Sequence, residues 1–223
     1  MSIDSSFLNK IHNMYPVFST REWNDEIVEQ YMSVLALKGT EKVLEIGSCI
    51  GRNSIVIGHM LKDGGRLVTI EANPDNIPRL RQSIANSGLT NIAICDKPIS
   101  KSRMIVHWWQ SKIIGQGDDV PKGWREVETT TLKAVNEDKN IDTYDTLVLD
   151  CEGAFYSILK DFPEIMNGVK CIIIENDFSD KKHADYVHNV FKQQGFTIKF
   201  SRALKIKGIN FPCKGYFWQI WQK

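Results

Sequence analysis

Apolar residues fall along the chain in short blocks separated by amphipathic stretches, and the alternation becomes regular near residue 42. Lys42–Ile46 (KVLEI), Arg66–Ile70 (RLVTI), Asn91–Cys95, Thr146–Leu149 and Cys171–Ile174 read as strands. Brief, β-branched apolar runs of this kind suit a sheet buried on both faces. Helical spacing fills the gaps. A stretch to about Leu61 follows the first strand. Asn73-Pro74 opens a helix whose stripe is Ile77, Leu80 and Ile84 and which Gly88 ends. Phe155–Lys160 reads as a helix, and Asp180–Gln194 as a longer one that buries Ala184, Val187, Val190 and Phe191 before Gly195. Ahead of the first strand, Ile27, Tyr31, Val34 and Leu35 share one face of a helix over Glu26–Lys38, stopped at Gly39. Residues 1–22 are polar and irregular. Met104–Trp109 reads as a strand, whereas Gln110–Glu126, with three glycines and Pro121, lacks periodicity and reads as a long surface loop. Val127–Thr131 and a short helix lead into the fourth core strand, and Phe196–Phe200 and Tyr216–Trp221 close the chain as strands.

Strands alternating with helices imply an α/β fold with a mostly parallel sheet covered on both faces. In such sheets ligands lie beyond the carboxyl ends of the strands, at the topological switch point. That rule selects Glu45 to Gly51, Glu71, Asp96 to Ser100, Asp150 to Gly153, and Glu175 to Asp177.

Length and charge narrow the class. The 223 residues fit one domain, residues 41–223, preceded by an N-terminal helical arm or cap over residues 1–40. Lys+Arg 28 against Asp+Glu 27 leaves a net charge of +1, which counts against a nucleic-acid or anionic-membrane binder. No apolar run approaches a bilayer span, and the N-terminus lacks a signal peptide's basic and apolar regions. The five cysteines are odd in number, widely spaced and without a CxxC pair, as expected of free thiols in the cytoplasm.

Glu45 to Gly51 spell an E-x-G-x-x-x-G turn, and twenty residues later the second strand ends in Glu71. Glycines let the backbone approach a ligand, and a carboxylate at Glu71 can accept both ribose hydroxyls. A dinucleotide site would want G-x-G-x-x-G, but Ser48 and Cys49 follow Gly47. The acid at Glu45 suits a cation better than a pyrophosphate, which favours a sulfonium cofactor with an adenosine tail.

VLEIGSCIG followed by TIEANP resembles motifs I and II of class I S-adenosylmethionine (SAM) methyltransferases. LVLDCEGAFYSIL (Leu147 to Leu159) resembles the D-x-E-G-A signature of the FkbM family. AICDKPIS (Ala93 to Ser100) and ETTTL (Glu128 to Leu132) are similar to that family's flanking segments. The resemblance covers about residues 40 to 200. It implies a Rossmann-like fold with a seven-stranded, mostly parallel sheet ending in an antiparallel strand pair. The implied activity is methyl transfer to a hydroxyl of a sugar or similar small metabolite. It further implies that Glu45, Gly47, Ser48, Gly51 and Asn53 hold the methionine end of SAM, that Glu71 and Ala72 hold the ribose, and that Asp96, Lys97 and Pro98 edge the adenine, with Asp150 at the reaction centre.

Asp150 with Glu175-Asn176 also resembles the metal site of catechol-type O-methyltransferases, an oxygen set suited to Mg²⁺ or Ca²⁺. Without a metal, Asp150, Glu152, Asp177 or His107 is the candidate base. Trp108, Trp109 and Trp124 bracket the glycine-containing loop as rim packing or a sugar platform. The basic run Arg202 to Lys214, with Lys205, Lys207 and Lys214, reads as a solvated hairpin face. Two alternatives are an NAD-linked reductase, disfavoured by the missing middle glycine, and a non-catalytic SAM-binding module, disfavoured by the intact acids. A homodimer through residues 1–40 is a further expectation.

Overall fold

The computed structural model describes residues 6–62, 64–205 and 212–223. Its centre is a seven-stranded sheet made of β1 (Lys42–Ile46), β2 (Arg66–Ile70), β3 (Ile92–Cys95), β7 (Thr146–Leu149), β8 (Cys171–Glu175), β9 (Thr197–Arg202) and β10 (Trp218–Gln222). The spatial order is β3-β2-β1-β7-β8-β10-β9. Pairs are parallel from β3 through β8, and β10 runs antiparallel to both β8 and β9. This is a Rossmann-like α/β fold. The chain leaves β1 toward β2 and β3, then returns to β7 on the other side, so a crevice opens between the ends of β1 and β7.

Strand alternation sorts the residues into two layers. Leu44, Ile46, Leu147, Leu149, Ile172 and Ile174 pack with Phe155, Ala184, Val187 and Phe191, which lie on α7 (Phe155–Asp161) and α8 (Lys181–Gln193). Val43, Leu67, Val148 and Ile173 face the other way, against Met32, Ala36 and Ile57 of α3 (Ile27–Ala36) and α4 (Arg52–Met60).

Four expectations change. Residues 1–22, read as irregular, contain α1 (Ser6–Met14) and the start of α2 (Thr20–Asn24), which opens on a Ser19–Glu22 capping box. Leu8, Ile11 and Trp23 from this segment pack onto Ile50, Ile55 and Val56. In α3 the buried positions are Val28, Glu29, Gln30, Met32, Ser33 and Ala36, and Leu35 of the expected stripe is exposed. Pro74 lies in a turn before α5 (Ile77–Ser87), because Asn73 Oδ1 accepts the Asp75 N–H at 3.0 Å and delays the helix.

The fourth change matters most for function. The expected loop at Gln110–Glu126 contains β5 (Gln110–Ile114) and the start of β6 (Arg125–Val127), which flank β4 (Arg103–His107) in a separate antiparallel sheet. Trp108 and Trp109 form the tip of the β4–β5 hairpin instead of extending a strand. Of the basic run, Lys207 lies outside the described residues.

Candidate functional site

A cleft of about 300 Å³ opens at the carboxyl ends of β1, β2, β7 and β8. Gly47, Glu71, Ala72, Pro98, Ile99, Asp150, Glu152 and Glu175 line it, as strand-end reasoning required. Asp25, Glu26, Glu29 and Arg52 close one end, and Trp108 and Trp109 stand at the hairpin rim.

The first turn is built on close approach. Gly47 has φ +96°, and a Cβ there would lie 1.5 Å from the Asp150 carbonyl oxygen. Gly51, at φ +94°, caps α4. Glu71 is buried and holds the turn on its carboxylate: the Cys49 and Asn73 N–H groups donate to it at 2.7 Å each, and Asn76 Nδ2 donates at 3.2 Å. Burial pushes its pKa upward against these donors. Asn73 Nδ2 also donates to the Trp108 carbonyl at 2.7 Å, tying the loop after β2 to the hairpin tip. Trp108 has φ +55°, an uncommon conformation for a tryptophan, and it is 68% exposed beside Trp109 at 64%.

Several nominated residues lie off the cleft. Glu45 follows the parity of Val43 and points into the α4 layer, where Ser54 Oγ and Thr69 Oγ1 donate to its carboxylate. Burial raises its pKa to about 7. Asn53 is buried, with Oδ1 accepting the Ser33 hydroxyl at 3.0 Å, and Ser48 is a buried turn residue whose carbonyl accepts the Gly51 N–H at 2.8 Å. Asp96 pairs with Arg81 at 2.7 Å and Lys97 with Glu128 at 2.6 Å. Neither lines the cleft, so Pro98 and Ile99 form this part of the wall. His107 packs its ring near Trp108 and Trp124, also off the cleft.

The oxygen trio is also revised. Successive strand residues face opposite sides, so Glu175 and Asn176 diverge at the end of β8. Asn176 is fully buried on the α8 side: its Nδ2 donates to the Tyr216 and Phe217 carbonyls and its Oδ1 meets His188 Nε2 at 2.7 Å. The side chain is committed to that side of the sheet and does not line the cleft. Glu29, from α3, takes its place: carboxylate oxygens of Glu29, Asp150 and Glu175 all lie within 4.8 Å of one another. Trp218 Nε1 donates to Glu29 at 2.6 Å and to Glu175 at 3.0 Å. Burial and the neighbouring acids hold the Glu175 and Asp150 carboxyls well above their usual range, with Glu29 hydrogen-bonded to Glu175.

Asp177 is buried and does not line the cleft; its Oδ1 accepts the Gly153 N–H at 2.8 Å and so shapes the Asp150–Gly153 turn. Burial and Glu152 raise its pKa to about 8. Cys49 and Cys151 touch the cleft, but burial raises both thiols, which leaves them un-ionised and poor nucleophiles.

The family model described as protein-L-isoaspartate(D-aspartate) O-methyltransferase matches residues 24–97. Catechol O-methyltransferase B of Danio rerio is 37% identical over 73 residues, 31% of this chain and 28% of that enzyme. The match thus spans under a third of the curated relative. Among solved structures, an O-methyltransferase from Bacillus cereus in complex with SAH superposes with a TM-score of 0.55 at 15% identity, covering 97% of this chain and 89% of that one. TomG of Streptomyces achromogenes, an O-methyltransferase solved with SAM, gives 0.54 at 14% identity, covering 95% and 87%. At these identities the superpositions establish the fold.

Proposed function

We propose that this chain is a SAM-dependent O-methyltransferase of small molecules, acting on a hydroxyl of a sugar-like ring and assisted by a divalent cation. The observation that carries the reading is the cleft itself. Glu71 stands at the ribose position beside a glycine turn, and a crowded acidic floor faces it across the switch point. The Danio rerio relative and the SAM- and SAH-bound neighbours support it by likeness. The D-x-E-G-A resemblance to the FkbM family supports a sugar-like acceptor, as do the exposed tryptophans at the rim, whose faces suit the apolar side of a ring.

SAM, when bound, supplies an electrophilic methyl group on a sulfonium. Gly47 admits it close to the strand end, Glu71 receives the ribose hydroxyls, and Pro98 and Ile99 present an apolar wall to the adenine. The acidic floor favours a cationic group over a neutral one. Alignment of the acceptor oxygen with the methyl carbon supplies most of the acceleration, and the chain's part is to orient and to exclude water.

The hard oxygen donors Glu29, Asp150 and Glu175 fit Mg²⁺ or Ca²⁺, and a dication there would lower the pKa of a coordinated hydroxyl. Glu152, at the exposed rim of the cleft, is the candidate base that takes the departing proton and passes it to solvent. Asp177 acts as a positioning residue through Gly153.

The test is transfer of labelled methyl from SAM to a panel of glycosides, polyols and catechols, with and without EDTA, together with calorimetry against SAH. SAH binding with EDTA-sensitive transfer to a glycoside is the expected result. Absence of SAH binding sinks the cofactor assignment, and undiminished transfer in EDTA sinks the cation.

A further inference from the structure

The end of the cleft formed by the N-terminal segment is chemically different from the rest. The other charged residues of the cleft are all acidic, and Arg52 is the one Lys, Arg or His side chain among the described residues lining it. Arg52 is the first residue of α4, directly after the Gly51 turn. Its Nη2 donates to Glu26 Oε1, from the residue preceding α3, and both side chains are largely buried, at 13% and 14% exposure. The guanidinium keeps unused capacity: Nε is buried without a hydrogen-bond partner, and Nη1 stands 4.0 Å from the exposed Asp25 carboxylate. A buried donor left unpaired is unfavourable, so an unfilled N–H at a cleft wall marks a place for an acceptor.

We propose that Arg52 and Glu26 form a zwitterion-recognition subsite for the amino-acid end of the cofactor. Arg52 receives the α-carboxylate, and Glu26 the α-ammonium. The inference rests on the SAM assignment above and adds what that assignment leaves open, namely what neutralises a carboxylate inside an acidic cleft. A carboxylate placed near Glu29, Asp150 or Glu175 would find no cationic donor, whereas the planar Arg52 guanidinium offers fork-shaped donors that match it. The ammonium needs the opposite sign, and Glu26 lies within hydrogen-bond reach of the same guanidinium, as the two charges of one α-amino acid require. The subsite also gives the N-terminal segment a function: it supplies one wall of the cofactor site.

Arg52 could instead serve only to pin the N-terminal segment through Glu26. Two ligands separate the roles. S-adenosylhomocysteine carries the amino acid, and 5′-methylthioadenosine shares its nucleoside but lacks both charges. Calorimetry on the full chain compares wild type, Arg52→Gln and Arg52→Lys, with thermal unfolding recorded for each. The expected result is a roughly 10- to 100-fold loss of S-adenosylhomocysteine affinity in Arg52→Gln, partial recovery in Arg52→Lys, and 5′-methylthioadenosine affinity within about twofold of wild type in all three. Equal losses for both ligands would assign Arg52 a structural role and overturn the subsite. Unchanged affinity for both would overturn it as well. If wild type binds neither ligand, the SAM assignment itself falls, and a wild type that binds 5′-methylthioadenosine no more weakly than S-adenosylhomocysteine removes the subsite while keeping the nucleoside pocket.

Discussion

Replacing Gly47 by alanine tests the closest contact in the site. The new Cβ would sit 1.5 Å from the Asp150 carbonyl oxygen and 2.6 Å from its carbon, both backbone atoms that no rotamer change can remove. The φ of +96° adds strain of about 1–3 kcal/mol for an L-residue. Moving the Asp150 turn away disturbs the bond from its N–H to the Ile46 carbonyl, 3.0 Å long, whose net contribution is about 0.5–1.5 kcal/mol. Forcing β1 and β7 apart at this point adds a further loss of about 1–3 kcal/mol, as overpacking does. Together these give roughly 2.5–7.5 kcal/mol, or a melting temperature lower by about 5–30 °C in a chain of this size. Gly88→Ala is the matched control: its φ of +70° also opposes a side chain, but nothing lies within 4 Å of the added Cβ. The unfolded-state entropy change is common to both variants, so the difference between them measures the close approach. Thermal and urea unfolding of both proteins, with SAH calorimetry on each, provides the comparison. Melting temperatures within about 2 °C of each other would show that the turn does not press on Asp150, and the account of the site would be wrong at its centre.

Three other outcomes follow from the same geometry. Asp177 has a folded pKa of about 8, above its ordinary value, so its contribution is most favourable at low pH and is lost as pH rises toward 8. Asp177→Asn should therefore gain on wild type between pH 5 and pH 8, on the order of 1–3 kcal/mol in urea unfolding, and a constant difference would refute the burial argument. Glu29→Gln should melt higher than wild type in EDTA, because it relieves the crowding with Glu175 and Asp150, yet lose the upward shift that millimolar Mg²⁺ or Ca²⁺ gives wild type. A cation shift retained in that variant would exclude Glu29 as a ligand. Trp109→Ala should raise the acceptor KM by about 5- to 20-fold with the SAM KM unchanged, consistent with loss of a stacking face. A fall in kcat alone would place Trp109 elsewhere in the reaction.

What the sequence made legible were the features with local signatures. The turn at Gly47 to Gly51, the acid at Glu71 and the turn at Asp150 to Gly153 each follow a recognisable strand, and strand-end placement put them in one cleft. Glu45 and Asn176 were misplaced for a reason the sequence already contained. Asn176 opposes Glu175, so strict alternation turns it to the α8 side, whereas Glu45 shares the face of Glu175 but lies in register with Val148 and Ile173, deeper in the strand and under α4. Glu29 left no such trace. It belongs to a helix whose buried face is partly polar, and its meeting with residues more than a hundred positions later is decided by tertiary packing alone. The sheet around β4 escaped because Gln110–Ile114 is only half covered and carries too few apolar residues to show a period.

The bond from Asn73 to the Trp108 carbonyl has a kinetic meaning. One residue beside Glu71 fixes the tip of the hairpin that borders the cleft. Filling the nucleoside pocket therefore steadies the doorway before the second reactant arrives, and the two should add in a compulsory sequence with SAM leading. Product-inhibition patterns would reveal that sequence, and random addition would mean the doorway stands ready without it.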